Sequence, residues 1–345
     1  MSTSEISASE KSITNMSSSE ISALQTPVSG RAISGRPISE TTVSGQEIDA
    51  ELISISCRES APIREIFCSV QGEGPYVGAR QAFVRFSGCN LKCKYCDTNF
   101  SNPGTCDYEK GEGSGSFEKV PNPISSRKLK DMLQPFKNLH SVSLTGGEPL
   151  LHANFIEELA RAGLSAPLYL ESNMTLPEQA RKVKDRVAYV AGDFKLPEAL
   201  GLESPQSREA RKARENHIEN TVECFKTLRK SKTRDCFCKI VISRDSDPAS
   251  VVSAVDAIAD YVSCVILQPE TGIANPEAGT NTQPLATQTS VTQPSATQTT
   301  VTQPSVTQPS EMQSSVRTLI ELQSILLEKI DTRIIPQTHR MWGCL

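Results

Sequence analysis

The sequence lacks an excess of charge of either sign, a long apolar run and a secretory signal. Its 36 Lys and Arg nearly balance its 40 Asp and Glu, so no overall positive field is available to hold nucleic acid or an anionic membrane. No apolar stretch reaches the length of a membrane span, and the first residues have neither a basic start nor an apolar signal core. We therefore expect a cytoplasmic protein that binds no membrane and no nucleic acid directly.

Large apolar residues are scarce in two long segments. Residues 1–55 are rich in Ser and Thr, and residues 275–314 repeat Thr-Gln-Pro at 282, 292, 302 and 307. Neither composition can bury enough surface to fold, so we predict a disordered N-terminal extension and a disordered inserted loop. A third segment, 101–124, is rich in Gly, Ser and Pro and is interpreted as an insertion without secondary structure. One folded domain, 62–345, is expected.

Three of the 11 cysteines lie within eight residues, as Cys89, Cys93 and Cys96. This CxxxCxxC spacing suits a 4Fe-4S cluster in which each thiolate binds one iron and the fourth iron has no local protein ligand. An open coordination position favours chemistry over a purely structural role. A zinc site closed by Cys106 is the alternative, and a disulfide framework is less favoured because the cysteine count is odd.

Apolar strand-like and amphipathic helix-like segments alternate from residue 63 to the end. Strands are predicted at 63–70, 81–86, 141–144, 167–171, 187–194, 237–243, 262–267 and 332–336, with helices between most of them. Such alternation predicts a parallel sheet covered by helices, with the site at the carboxyl ends of the strands.

Polar and glycine residues cluster at those predicted strand ends. Thr145-Gly146-Gly147-Glu148-Pro149 ends one strand, where glycines let a ligand lie against bare backbone. Arg85 interrupts an apolar strand just before the cysteine loop, and its planar guanidinium is suited to gripping a carboxylate. His339 follows the last strand, where a structural role is favoured over acid–base chemistry. Cys236 and Cys238 alternate along a strand and are interpreted as packing residues.

These motifs together resemble the radical S-adenosylmethionine (SAM) superfamily. The cysteine loop followed by Asp97-Thr98, the 145–149 motif and the βα alternation carry the general resemblance. Gln71-Gly72-Glu73-Gly74, Gln268-Pro269 and Gln337-Thr338-His339-Arg340 narrow it to the 7-carboxy-7-deazaguanine synthases. The resemblance covers 62–345 apart from the insertions and implies an α/β fold, a partial, modified (βα)6-type TIM barrel.

The resemblance also implies an activity. Reductive cleavage of SAM at the cluster would give a 5'-deoxyadenosyl radical, which takes a hydrogen atom from 6-carboxy-5,6,7,8-tetrahydropterin. The ring then contracts with loss of ammonia to 7-carboxy-7-deazaguanine, a precursor of queuosine and archaeosine in tRNA. Mg²⁺, a reductant such as flavodoxin or ferredoxin, and a homodimer are further implied.

Site residues follow from the resemblance position by position. Cys89, Cys93 and Cys96 would bind the cluster, and the Thr98 hydroxyl would bind Mg²⁺, which prefers oxygen ligands. The SAM site would comprise Tyr95, Asp97, Gly147, Asp193, Lys195 and Gln268. The pterin site would comprise Val70, Gln71, Gly72, Arg85, Thr145 and Leu345.

The sequence departs from the family pattern in three places. Glu171-Ser172-Asn173-Met174 replaces a common Glu-Thr-Asn-Gly, Asp193-Phe194-Lys195 replaces Ser-Pro-Lys, and Leu345 stands where some members end in proline. Two other functions stay open from the sequence. One is an activase that places a glycyl radical on a partner enzyme, and the other is a zinc-binding module without catalysis.

Overall fold

Seven parallel strands form the centre of the protein, and their sequence explains why. Most of them are short runs of buried apolar residues, and most are connected to the next strand by a helix that returns the chain to the same end of the sheet. The computed structural model describes residues 60–96, 103–203, 206–270 and 309–343, with side chains in the last range from 316 onward. All of them belong to one compact unit, Ile48–Leu345.

Twelve strands occur in the described residues. They are β1 (Ser60–Ala61), β2 (Ile63–Val70), β3 (Arg80–Phe86), β4 (Thr105–Glu109), β5 (Phe117–Pro121), β6 (Ile124–Ser125), β7 (Ser141–Gly146), β8 (Leu168–Ser172), β9 (Val187–Asp193), β10 (Asp235–Ile242), β11 (Val265–Pro269) and β12 (Thr332–Ile334). The helices are α1 (Ser126–Leu133), α2 (Ala153–Arg161), α3 (Pro177–Val183), α4 (Arg208–Thr227), α5 (Pro248–Ile258), α6 (Pro309–Leu327) and α7 (Thr338–Trp342).

The main sheet has the order β12-β11-β10-β9-β8-β7-β3-β2-β4-β5. Neighbouring strands from β3 to β12 are parallel, whereas β2 runs antiparallel to β3. The predicted α/β class and the (βα)6-type partial barrel are confirmed: β3 and β7 to β11 supply six parallel strands, and the sheet remains open.

Residues alternate between the two faces of the strands, as the two-residue period of a strand requires. In β8, Leu168 and Leu170 pack toward the helices in the main core, while Tyr169 belongs to a second cluster with Phe237 and Ile266 on the other face. Cys236 and Cys238 are buried in the main core, which agrees with their interpretation as packing residues.

Two expectations about the loops are wrong. The described part of the segment 101–124, from residue 103, contains the β4–β5 hairpin, which extends the sheet by two strands beyond β2. The buried Glu109 carboxylate explains why a Gly-rich segment folds: it accepts hydrogen bonds from the backbone N–H groups of Cys68, Gly113 and Gly115. Also, α6 begins at Pro309, inside the predicted loop 275–314, because proline suits the first turn of a helix.

The remaining predictions about low-complexity segments lie outside the described residues. These are the N-terminal extension 1–55 and the part of 275–314 that precedes Pro309. Among the described helices, none combines the length and the apolar character needed to cross a membrane.

Candidate active site

A cavity of about 280 Å³ opens at the carboxyl ends of the parallel strands. The strand registers bring its residues into line: Arg85 pairs with Thr145, Asp193 with Lys239, and Val241 with Gln268. Every predicted site residue that the structure describes lines this cavity, namely Val70, Gln71, Gly72, Arg85, Cys89, Cys93, Tyr95, Cys96, Thr145, Gly147, Asp193, Lys195 and Gln268. Asp97, Thr98 and Leu345 lie outside the described residues.

The cysteine loop leaves the end of β3 and borders the cavity. Its Lys94 N–H donates to the Ala199 carbonyl at 2.9 Å, which ties the loop to the segment after β9. Cys89 and Cys93 are partly exposed and Cys96 is exposed, in contrast to the core thiols. Burial raises the pKa of Cys89 and Cys93, so metal binding there must displace protons. Three accessible thiols on one loop are a suitable ligand set for an iron–sulfur cluster.

Cys106 is not part of this group. It is fully buried in the main core within β4, and burial raises the pKa of its thiol to about 12. A thiol that is enclosed by apolar side chains and protonated at neutral pH is a poor ligand. The zinc site closed by Cys106 is therefore excluded by the placement of this residue.

Gly146, the last residue of β7, and Gly147, just after it, bring bare backbone to the cavity. Gly146 has φ +100°, a conformation that side chains rarely adopt, and a Cβ there would lie 2.5 Å from the Phe86 carbonyl oxygen. At Gly147 a Cβ would overlap the Gly88 carbonyl oxygen. The Gly147 N–H donates to the Phe86 carbonyl at 3.0 Å. These close contacts explain why both positions require glycine.

Two buried acceptor atoms on the cavity wall have no hydrogen-bond partner among the described residues. They are Asp193 Oδ1 and Gln268 Oε1. Lys239 Nζ lies 3.3 Å from Asp193 Oδ1, an ion-pair distance without hydrogen-bond geometry. Buried acceptors normally have donors, so these atoms fit a ligand that presents hydroxyl or amino groups, as SAM does. The residues present are therefore suited to this cofactor.

Lys195 supplies positive charge next to Asp193 on the cavity wall. Burial alone would lower the pKa of Lys195, but the neighbouring Asp193 carboxylate raises it above its ordinary value. Lys195 Nζ lies 3.1 Å from Asp193 Oδ2 and 5.4 Å from the centre of the Tyr95 ring. Burial also raises the pKa of Tyr95, to about 12. At neutral pH this part of the wall presents an ammonium group and a neutral phenol.

Another part of the cavity wall is built around the Glu171 carboxylate. It accepts hydrogen bonds from Ser143 Oγ at 2.8 Å, Thr145 Oγ1 at 3.2 Å and Gln71 Nε2 at 3.1 Å. The Gln71 amide also donates to Gln81 Oε1 at 3.0 Å. Both amide hydrogens of Gln71 are thus used within the protein, and its side chain orients Glu171.

Arg85 borders the same wall. Its Nε–H donates to Glu65, and its guanidinium carbon lies 5.9 Å from the centre of the Phe67 ring. The terminal nitrogens are the groups that remain suited to a ligand carboxylate. The sequence predicted that Arg85 binds a carboxylate, and the structure supplies a protein partner, Glu65, that the sequence did not indicate.

Several residues at the cavity were not assigned a role from the sequence. Lys239 stands out because a lysine interrupts the apolar strand β10 and is only 5% exposed. It pairs with Glu73 and Asp193. Burial would raise the pKa of Glu73, but the ion pair with Lys239 holds it at about 2. A charged residue inside a buried strand is the signal that sequence analysis could have used.

His339 also lines the cavity, against Gly72, where a Cβ would collide with the imidazole. Burial lowers the pKa of His339, so the ring is predominantly neutral at pH 7. The Thr338 N–H donates to the Gly72 carbonyl at 2.9 Å and holds the start of α7 over this turn. The chain's last described helix therefore closes one side of the cavity.

Comparison with known proteins identifies the superfamily and, within it, the family of this chain. The model of the radical SAM superfamily matches residues 83–258, so the chain belongs to this superfamily. A 7-carboxy-7-deazaguanine synthase from Archaeoglobus fulgidus is 43% identical over 212 residues, which are 61% of this chain and 85% of the relative. One from Geobacter sulfurreducens is 32% identical over 223 residues, 62% of this chain and 83% of the relative. Within the superfamily, the chain belongs to the 7-carboxy-7-deazaguanine synthases, which are radical SAM lyases.

A solved structure, QueE from Escherichia coli, is similar to 64% of this chain and 87% of its own, with 20% sequence identity and a TM-score of 0.40. Membership of the superfamily implies a 4Fe-4S cluster and SAM. The alternatives of a glycyl-radical activase and a zinc-binding module are not favoured by these comparisons.

Proposed function

We propose that this chain converts 6-carboxy-5,6,7,8-tetrahydropterin to 7-carboxy-7-deazaguanine with release of ammonia, in the pathway to queuosine or archaeosine. The observation that carries the proposal is the convergence, in one cavity, of three accessible thiols, bare backbone at Gly147 and two buried acceptors that have no donor among the described residues. When bound, the cluster and SAM supply an electron and a radical that removes hydrogen from the substrate.

The residues divide the cavity into a cofactor side and a substrate side. Gly147 would leave room for SAM beside the cysteine loop, and Asp193 and Gln268 would accept hydrogen bonds from it. Tyr95 and Lys195 enclose that side.

On the substrate side, Arg85 attracts the pterin carboxylate through its terminal nitrogens, and Thr145 lies next to it across the β3–β7 register. The backbone of Val70 and Gly72 forms the rim. Gln71 acts by orienting the Glu171 carboxylate, since both of its amide hydrogens are engaged. Hydrogen bonds from Ser143 and Thr145 keep Glu171 in place as an acceptor for substrate N–H groups.

Three further assignments extend the proposal. Thr98 would bind Mg²⁺, Asp97 would contribute to the SAM site and Leu345 to the substrate site. The protein acts as a homodimer in the cytoplasm and takes electrons from a flavodoxin or ferredoxin. The cysteines described here are all free thiols, as expected in a reducing compartment.

The test is anaerobic reconstitution with iron and sulfide, followed by incubation with the pterin, SAM and a reductant. Wild-type protein is expected to show cluster absorption and to form 7-carboxy-7-deazaguanine, detected by mass spectrometry. Cys93→Ala is expected to lose both. Cys236→Ala is the matched control, because this thiol is buried in the main core, and it should retain both. A loaded wild-type protein that cleaves SAM but makes no deazaguanine would refute the proposed substrate.

A further inference from the structure

The start of the cysteine loop, at Cys89, is held in place by residues at the ends of the neighbouring strands β7 and β8. The Gly88 carbonyl, just before Cys89, accepts a hydrogen bond from the Glu148 N–H at 2.8 Å. The Glu148 carboxylate in turn accepts from the Asn173 N–H at 2.8 Å and from Ser172 Oγ at 2.9 Å. The end of β7 therefore links the cluster loop to the loop after β8. This arrangement places the Asn173 side chain beside the thiol.

A closed ring of side-chain hydrogen bonds completes the connection. Asn90 Nδ2 donates to Thr175 Oγ1 at 2.9 Å, and Thr175 Oγ1 donates to Asn173 Oδ1 at 2.6 Å. Asn173 Nδ2 donates back to Asn90 Oδ1 at 2.9 Å. Asn173 and Thr175 are only 6% and 8% exposed, so water competes little for these bonds.

The orientation of the Asn173 amide is fixed by its surroundings. Its Oδ1 also accepts from the Thr175 backbone N–H, at 3.2 Å, and a flipped amide would place two donors against each other. Nδ2 must therefore face the cluster loop. One of its hydrogens is used by Asn90, and the other is available to Cys89 Sγ, 3.7 Å away.

We propose that Asn173 is a positioning residue for the cluster, which raises the cluster's reduction potential by donating a hydrogen bond to the Cys89 sulfur. A donor at a ligating sulfur stabilises the reduced, more negative state of an iron–sulfur cluster. Cys89 Sγ has one other donor among the described residues, the Leu91 N–H at 3.4 Å. Removing the Asn173 donor thus leaves a single donor at this sulfur. The inference rests on the proposed cluster.

Three variants separate donation from a purely structural role. Asn173→Leu removes the donor with little change in size, and Asn173→Asp removes it in an isosteric side chain. Thr175→Val breaks the ring but leaves the Asn173 amide and its backbone contact with residue 175. In each case the reconstituted holoenzyme is titrated with reductant, and the reduced cluster is quantified by its electron paramagnetic resonance signal. Iron and sulfide content measures cluster loading.

Asn173→Leu is expected to lower the equilibrium constant for cluster reduction about tenfold, which is about 59 mV for a one-electron couple. Asn173→Asp should shift the potential further in the same direction, because it adds negative charge. Thr175→Val should stay within about threefold of wild type. If Asn173→Leu does not load, the isosteric Asn173→Asp decides the question.

Wild-type potential in both Asn173 variants, or an equal shift in Thr175→Val, would overturn the assignment. These measurements need no pterin, so they are independent of the proposed reaction. A wild-type protein that holds a redox-active cluster but makes no deazaguanine would refute the proposed function and leave this inference standing.

Discussion

Lys239→Met tests the buried charges at the cavity most directly. The Lys239 side chain is 6% exposed and lies between the carboxylates of Glu73 and Asp193. Asp193 keeps a second cation, Lys195, in this variant, whereas the side-chain partner that remains to Glu73 among the described residues is the neutral Gln337 amide at 2.7 Å. The main loss therefore falls on Glu73.

The magnitude follows from the pKa of Glu73, which the ion pair holds at about 2 against an ordinary value of 4.5. One pKa unit corresponds to about 1.4 kcal/mol, so the ionised Glu73, after its burial penalty is offset chiefly by Lys239, stabilises the fold by about 3 kcal/mol at pH 7. Breaking a buried ion pair generally costs about 3–5 kcal/mol, which is consistent. Because the folded pKa is depressed, this stabilisation is complete above pH 4.5 and is lost as the pH falls toward 2.

The assay is urea unfolding of the cluster-free protein, followed by far-UV circular dichroism. We expect Lys239→Met to lower the free energy of unfolding by about 3 kcal/mol at pH 7 and by about 2 kcal/mol at pH 3.5. Lys329→Met is the matched control: its pair with Asp256 is exposed, so it should cost less than about 1 kcal/mol. A loss below about 1 kcal/mol for Lys239→Met at pH 7, or a gap that widens in acid, would refute the reasoning.

Three other substitutions give distinct outcomes. Gly147→Ala should prevent normal cluster loading, measured as iron per chain, because the new methyl group overlaps the Gly88 carbonyl; wild-type loading would contradict this. Glu109→Leu should lower the free energy of unfolding by about 1–3 kcal/mol, because three backbone N–H groups lose their acceptor. An unchanged urea midpoint would contradict the role of Glu109 as the anchor of the β4–β5 hairpin. Met174→Gly relieves about 1 kcal/mol of backbone strain at φ +56° but removes a fully buried side chain that contributes about 2–5 kcal/mol. We therefore expect a lower free energy of unfolding. A higher one would show that the packing of Met174 contributes little.

Much of the fold could be predicted because its signals are local. The strand β2 was predicted with the observed bounds, Ile63–Val70, and the strands from β7 to β11 were placed to within three residues, since each is a short apolar run between turn residues. The β4–β5 hairpin was missed. Its sequence is rich in turn residues, and its main anchor, Glu109, bonds a backbone group 41 residues away in the sequence.

The cysteine loop, the strand–helix alternation and the glycines at the end of β7 could be recognised without a structure, because each depends on residues close together in the chain. Which charges and hydrogen-bond donors meet at the cavity depends on how the strands are arranged in the fold. Lys239 reaches Glu73 across 166 positions, and Asn173 reaches Cys89 across 84. The physical reason is that strand order and register set these pairings, and a pattern of neighbouring residues carries no information about which strand end will lie beside another.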